Sequence, residues 1–280
     1  MNLFYLSTGK AFKGNSYKYK NIYSNKLISD FFPMLLDENG DFDTFCPSPF
    51  HGRSVVVHYN KKTQRYIVIK GCGLTYFPYN FTNTGEVGDG TWGLLLKDDA
   101  IRDYICGDEI SKLGIYTNKM EAVLKITNFK FNTGKNILNP YILQYSVDCP
   151  YRLADAPFLP IKIIKKYVKK WGRFGKAYNQ KHLIVADVVF NNLKIMHDNE
   201  ILHNAINIQN YTLSLELLDF ELSRTPDMPY SKEDELIFKD LFKREVFHCL
   251  EIINFICYLF KENMDSKELG QILKKYGYSM

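Results

Sequence analysis

The run Arg65-Tyr-Ile-Val-Ile-Lys-Gly-Cys-Gly73 constrains the fold more than any other stretch of this 280-residue chain. A β-favouring segment ends in a lysine and then in two glycines, which reads as a strand that delivers one cation to a flexible loop. Ser54-Val-Val-Val-His-Tyr59 before it is a second such segment, and Asn60-Lys61-Lys62-Thr63-Gln64 between them reads as the loop of a hairpin. Gly71 and Gly73 remove Cβ atoms where a backbone can approach a ligand, and Gly88-Asp89-Gly90 repeats the feature downstream. Lys70 then either lies solvated at a sheet edge or meets a phosphate.

A helix with readable punctuation follows. Asp98 or Asp99 suits its N-cap, Ile101, Tyr104, Ile105 and Leu113 are its apolar positions, and Gly114 is its stop. Asp103, Cys106, Gly107 and Ile110 form a separate row at i, i+3, i+4 and i+7, which sets a carboxylate among small and apolar neighbours. A carboxylate in such a place needs a partner, and Lys70 is the expected one. Much later Asn210 and Asp219 flank Tyr211-Thr-Leu-Ser-Leu-Glu-Leu217, whose alternation predicts a strand with one buried face. The two flanking residues read either as turn formers bonded to their own backbone or as ligands of one shared ion. A strand lysine, a helix carboxylate, then an Asn and an Asp is the order of parts in protein-kinase-like enzymes.

Several patches resemble one family in the same order. Ile69-Lys-Gly-Cys-Gly-Leu-Thr75, Gly88-Asp-Gly90 and Ile101-Arg-Asp-Tyr-Ile-Cys-Gly-Asp-Glu-Ile-Ser-Lys-Leu-Gly-Ile-Tyr-Thr117 are similar to Leu-Lys-Gly-Ala-Gly-x-Thr, Gly-Asp-Gly-Arg and Ile-Arg-Glu-x-Leu-Cys-Ser-Glu-Ala-x-x-x-Leu-Gly-Ile-Pro-Thr of the selenoprotein O family. His203 to Asp219 continues the match without a gap, so the resemblance spans roughly Phe50 to Asp219. That family consists of pseudokinase-fold protein adenylyltransferases, and the chain resembles a short divergent member. The resemblance implies an α+β, bilobal protein-kinase-like fold with a β-rich N-lobe and a helical C-lobe. It makes Lys70 the nucleotide-phosphate lysine, Asp103 its helix partner, and Asn210 and Asp219 the ligands of Mg²⁺ or Mn²⁺. ATP would lie against Gly71, Gly73, Gly88, Asp89 and Gly90. Arg152, in Tyr151-Arg-Leu-Ala-Asp155, falls near one of two arginines that hold ATP turned around, so that the α-phosphate faces the acceptor.

The departures from the family bear on rate and nucleotide orientation. Gln209 stands where the family has an Asp able to take the acceptor's proton, and an amide cannot act as a base. Gln144 stands for the first arginine, Thr91 for the arginine of Gly-Asp-Gly-Arg, and Asp219-Phe220-Glu221 for Asp-Tyr-Gly. Three functions stay open: transfer of AMP to a protein hydroxyl, transfer of the γ-phosphate to a protein or small molecule, and nucleotide binding by a catalytically dead scaffold.

Composition bounds the rest. With 46% hydrophobic and 15% aromatic residues the chain can bury a large core as one bilobal domain or two. The expected division is an N-terminal extension and N-lobe over 1–148 and a helical C-lobe over 149–280. No stretch approaches the ~18 apolar residues of a membrane span, and Met1 to Lys10 is too polar for a signal peptide. A cytoplasmic location follows, as it would for an effector delivered into another cell's cytoplasm. Cys46, Cys72, Cys106, Cys149, Cys249 and Cys257 include no metal-ligand spacing and read as reduced core residues. The net charge of +5 is concentrated in Ile161-Lys-Ile-Ile-Lys-Lys-Tyr-Val-Lys-Lys-Trp171, a basic helix over a stripe of Ile161, Ile164, Val168 and Trp171. No nucleic-acid motif accompanies it, so it is either a solvated lysine face or a surface for an acidic target protein. His182 to about Leu202, Ser231 to Asn263 and Ser266 to Tyr276 read as further helices. His203 is expected to scaffold the loop it opens, and His51 reads as an exposed loop residue.

Overall fold

The computed structural model describes residues 19–24, 54–71, 95–126, 131–132, 137–174, 178–228 and 238–279. It is a mixed α+β structure in which backbone contacts separate two compact units, 1–104 with 118–150, and 105–117 with 151–280. The break after 150 lies two residues beyond the boundary at 148 expected from sequence. Residues 105–117 join the second unit rather than the first.

In the first unit, β1 (Tyr19–Ser24), β2 (Ser54–Asn60), β3 (Arg65–Lys70), β4 (Lys119–Ile126) and a strand Tyr141–Val147 form one antiparallel sheet. Between the last two lie the two-residue strands β5 (Phe131–Asn132) and β6 (Ile137–Leu138), paired only with each other, so Tyr141–Val147 is β7. The order across the sheet is β1-β4-β7-β3-β2. The expected hairpin forms, with Asn60 opposite Arg65 and Ser54 opposite Lys70. Asn60 closes its turn by accepting hydrogen bonds from the Lys62 and Thr63 amides, at 3.0 and 3.2 Å.

β3 and β7 lie inside the sheet, and β7 is buried along its whole length. Lys70 pairs with Leu143 and Ile69 with Gln144, so Gln144 projects from the sheet face opposite Lys70. On that face Gln144 donates to Glu121 at 2.7 Å, and the Arg65 guanidinium bonds the Ser146 hydroxyl and carbonyl.

Helix α1 (Lys97–Lys112) begins earlier than expected. Asp98 and Asp99 occupy its first turn rather than its cap, where they face the positive end of the helix dipole. Gly114, at φ +85°, ends it as expected. Gly71 has φ +90°, and a Cβ there would come within 2.7 Å of both Leu95 Cγ and the Tyr141 carbonyl oxygen. Close chain packing therefore explains Gly71 without a ligand. Gly73, Gly88, Asp89, Gly90, Thr91, Cys46, Cys72 and His51 lie outside the described residues.

The second unit is helical. After a 3₁₀ turn at Leu153–Phe158 come α2 (Ile161–Val168), a 3₁₀ segment Lys169–Arg173, α3 (Lys181–Asp198), α4 (Phe238–Phe260) and α5 (Ser266–Lys275). Residues 231–237, expected to open α4, lie outside the described residues. α3 packs along α4 and α5 with Leu183, Val189, Phe190, Leu193 and Met196 buried. The α2 stripe is Ile164, Tyr167 and Trp171, whereas Ile161, expected in it, is 63% exposed. Cys106, Cys149, Cys249 and Cys257 are buried and form no disulfide, as read from sequence. Among the described residues no helix is long and apolar enough to cross a membrane.

Candidate functional site

The first unit forms the expected ion pair. Lys70 Nζ lies 2.7 Å from Asp103 Oδ2, with the two side chains 3% and 2% exposed. The strand places the ammonium at its last residue, and the row of Asp103, Cys106, Gly107 and Ile110 is buried throughout. A charge pair so far out of water interacts strongly, because little solvent screens it.

The second unit builds its cluster on a folded-back segment rather than on the expected strand. Residues from Tyr211 to Leu218 are all buried, so the alternation of Leu with Thr, Ser and Glu does not mark an inside and an outside. The segment turns at Leu215, at φ +66°, with the Leu215 amide bonded to the Thr212 carbonyl and the Thr212 amide to the Glu216 carbonyl, both at 2.9 Å. Thr212 Oγ1 accepts the amides of Ser214 and Glu216 at 3.3 and 3.0 Å, so these polar side chains satisfy the turn. This reversal is what unites Asn210 with Asp219. A nine-residue extended strand would part them by about 30 Å, whereas here the Leu218 amide bonds the Asn210 carbonyl at 2.8 Å.

Residues 151–154 are zipped onto the same loop. Leu153 and Ala154 donate amides to the Tyr211 and Ile208 carbonyls, and the Leu213 amide bonds the Tyr151 carbonyl. Arg152 is thereby delivered to the cluster. Its Nη1 donates to the Gln209 carbonyl at 2.7 Å and to Asn210 Oδ1 at 3.1 Å, and lies 4.0 Å from Asp219 Oδ2. Its Nε is buried and meets no acceptor. The Gln209 side chain is exposed, while its backbone amide donates to Asn207 Oδ1 at 2.7 Å.

His203 has the scaffolding role expected of it. Fully buried, it bonds the Leu218 carbonyl through Nε2 at 2.9 Å and accepts the Ala205 amide at Nδ1 at 3.3 Å. Burial pulls its pKa below the ordinary 6.5, so the folded protein keeps the ring neutral while the unfolded chain takes up a proton. This contribution to stability is fully present above about pH 6.5 and is lost as pH falls below it. Unfolding measured between about pH 7 and pH 5 should show this loss, and His203→Gln should flatten that part of the profile.

Sequence reasoning missed Glu245. On α4 its Oε1 accepts the Asn204 amide at 2.6 Å and its Oε2 bonds His197 Nε2 at 3.0 Å, while the residue is fully buried. Asn204 has φ +63°, a left-handed conformation that this carboxylate helps to hold. A lone glutamate four residues before Cys249 in the apolar stripe of α4 was the available signal. Thr117 also buttresses the loop, donating from Oγ1 to the Leu217 carbonyl at 2.8 Å.

No protein-family model matches the chain, and no curated protein matches it either.

Proposed function

We propose that the protein is a protein adenylyltransferase that moves AMP from ATP to a hydroxyl side chain of a protein, on a bilobal kinase-like fold. The observation that carries this reading is the buried Lys70–Asp103 pair. A lysine on a strand, held by a carboxylate on the following helix, is how protein kinases engage nucleotide phosphates. The family resemblance of the same two segments selects AMP as the transferred group.

Asn210, Asp219 and Arg152 support it from the second unit. The carboxamide and carboxylate oxygens are hard donors suited to Mg²⁺ or Mn²⁺, and both approach Arg152 Nη1, a guanidinium nitrogen standing in for a cation. Mg²⁺ or Mn²⁺ at Asn210 and Asp219 would supply charge neutralisation to the phosphates. In the first unit Lys70 would bind phosphate oxygens, and in the second the Arg152 Nε, which meets no protein acceptor, has the chemistry of a phosphate donor. In the reaction the acceptor hydroxyl oxygen bonds to the α-phosphorus as the bond from that phosphorus to the α,β-bridging oxygen breaks. Pyrophosphate leaves, and the hydroxyl proton passes to phosphate or water.

A kinase reading has one observation in its favour. Gln144 lies on the sheet face away from Lys70, so the position assigned to the first family arginine offers no grip on a reversed triphosphate. Incubation with ATP and Mg²⁺ or Mn²⁺, followed by intact-mass spectrometry and by transfer of label from the α- or γ-phosphate, decides the matter. An added AMP carrying α-label is the expected result. Label from the γ-position alone makes the protein a kinase, and nucleotide binding with no covalent transfer makes it a scaffold.

A further inference from the structure

We propose that the ridge formed by Phe158, Ile161 and the lysine face of α2 is a docking surface for an acidic segment of a partner protein. The proposal deepens the transferase reading by assigning how an acceptor is recruited, but binding is read without ATP and so succeeds or fails separately from turnover.

The ridge starts at a protruding corner. Phe158 is 69% exposed and Ile161 63% exposed, on either side of Leu159 and Pro160. Two large apolar side chains exposed three residues apart are what a partner can anchor on. From that corner the chain carries six cationic side chains and no carboxylate between Ile161 and Arg173. At 3.6 residues per turn, Ile161, Lys162, Lys165 and Lys166 fall within an arc of about 140°. The opposite arc holds Ile164 and Tyr167, both buried. Lys162, Lys165, Lys166 and Lys169 are exposed, and none is in an ion pair among the described residues. An uncompensated field of this kind steers carboxylates and rejects basic surfaces.

Charge alone fits phosphates and lipid headgroups as well. Phe158 can stack on a base or fill a pocket, but Ile161 beside it gains only from dry packing, which favours a protein. Membrane insertion calls for a free apolar stripe, and α2 uses its own inside the unit through Ile164, Tyr167 and Trp171. Within the second unit the ridge is also tied to the loop around Arg152 and Leu213. Its 3₁₀ turn begins directly after Arg152, and Trp171 donates from Nε1 to the Leu213 carbonyl at 2.9 Å.

The test is fluorescence anisotropy with the full chain and a labelled synthetic peptide of glutamates interspersed with leucines. Saturable binding that weakens roughly tenfold when salt is raised severalfold is expected. Lys162→Glu combined with Lys165→Glu and Lys166→Glu should abolish it, and Phe158→Ser with Ile161→Ser should weaken it about tenfold at every salt concentration. Both variants should melt as the parent does and keep its affinity for ATP. Lys→Gln replacements at the same three positions provide a second reading if charge reversal disturbs folding. Peptide binding equal in all variants would overturn the proposal. So would a single-stranded DNA oligonucleotide, or vesicles of phosphatidylcholine and phosphatidylserine, that bind more tightly than the peptide and displace it.

Discussion

Lys70→Ala should eliminate nucleotide-dependent activity and at the same time lower stability by about 3–5 kcal/mol, the usual cost of stranding one member of a buried ion pair. The second effect follows from burial: Asp103 is 2% exposed on its side chain, so water cannot replace the lost ammonium. A domain stable by about 5–15 kcal/mol survives that loss with little margin, so inactivity of this variant alone would be ambiguous. Lys70→Met combined with Asp103→Asn separates the two effects. It removes both charges, keeps a polar group of the same shape at 103, and should recover much of the stability lost in the single variant. It should not recover nucleotide binding, because no ammonium remains for the phosphates. Thermal unfolding and ATP titration on the three proteins measure both quantities. A double variant that binds ATP like the parent would remove Lys70 from the site.

What could be read in advance follows from which residues carry a pattern that only one structure satisfies. The β2–β3 hairpin was legible because two β-branched runs flank a loop led by Asn60, and the Lys70–Asp103 pair because a carboxylate stood in a row of small and apolar residues on a helix. The 211–217 segment departs from the expected strand because its alternation does not follow exposure. Thr212, Ser214 and Glu216 are as buried as the leucines, bonded to the turn they lie in. Asn210 and Asp219 still meet, but through a chain reversal at Leu215 that no local residue preference announced. Ile161 has the spacing of a core position, yet the buried stripe is Ile164, Tyr167 and Trp171, and Ile161 lies on the arc of α2 that carries the lysines. Glu245 was overlooked because its partner is a backbone amide, Asn204, 41 positions away, and no sequence pattern encodes such a contact.

Replacing Gln209 by aspartate should accelerate transfer, up to the roughly 10²–10⁴-fold scale of general-base catalysis. The structure makes the substitution a clean one. Gln209 is fixed by its backbone, with its amide on Asn207 Oδ1 and its carbonyl on Arg152 Nη1, so the loop holds whatever side chain it carries. The side chain itself is exposed, directly before Asn210. Kinase-like enzymes use a carboxylate of this loop to accept the acceptor's hydroxyl proton, and Gln209 has no group that can take one. On the transferase reading we propose, the proton in the parent protein must leave late, to phosphate or water, and positioning supplies the rate. With Gln209→Asp the proton has an acceptor as the bond to phosphorus forms, so kcat should rise while ATP affinity changes little. A new acid limb should appear as the carboxylate protonates, near its ordinary pKa of about 3.9. The Arg152 guanidinium beside the loop sets the competing outcome: an ion pair with the new carboxylate would withdraw it from the acceptor. Steady-state rates across pH distinguish the two, since withdrawal gives no gain in kcat at any pH and leaves Gln209 a part in orienting the acceptor.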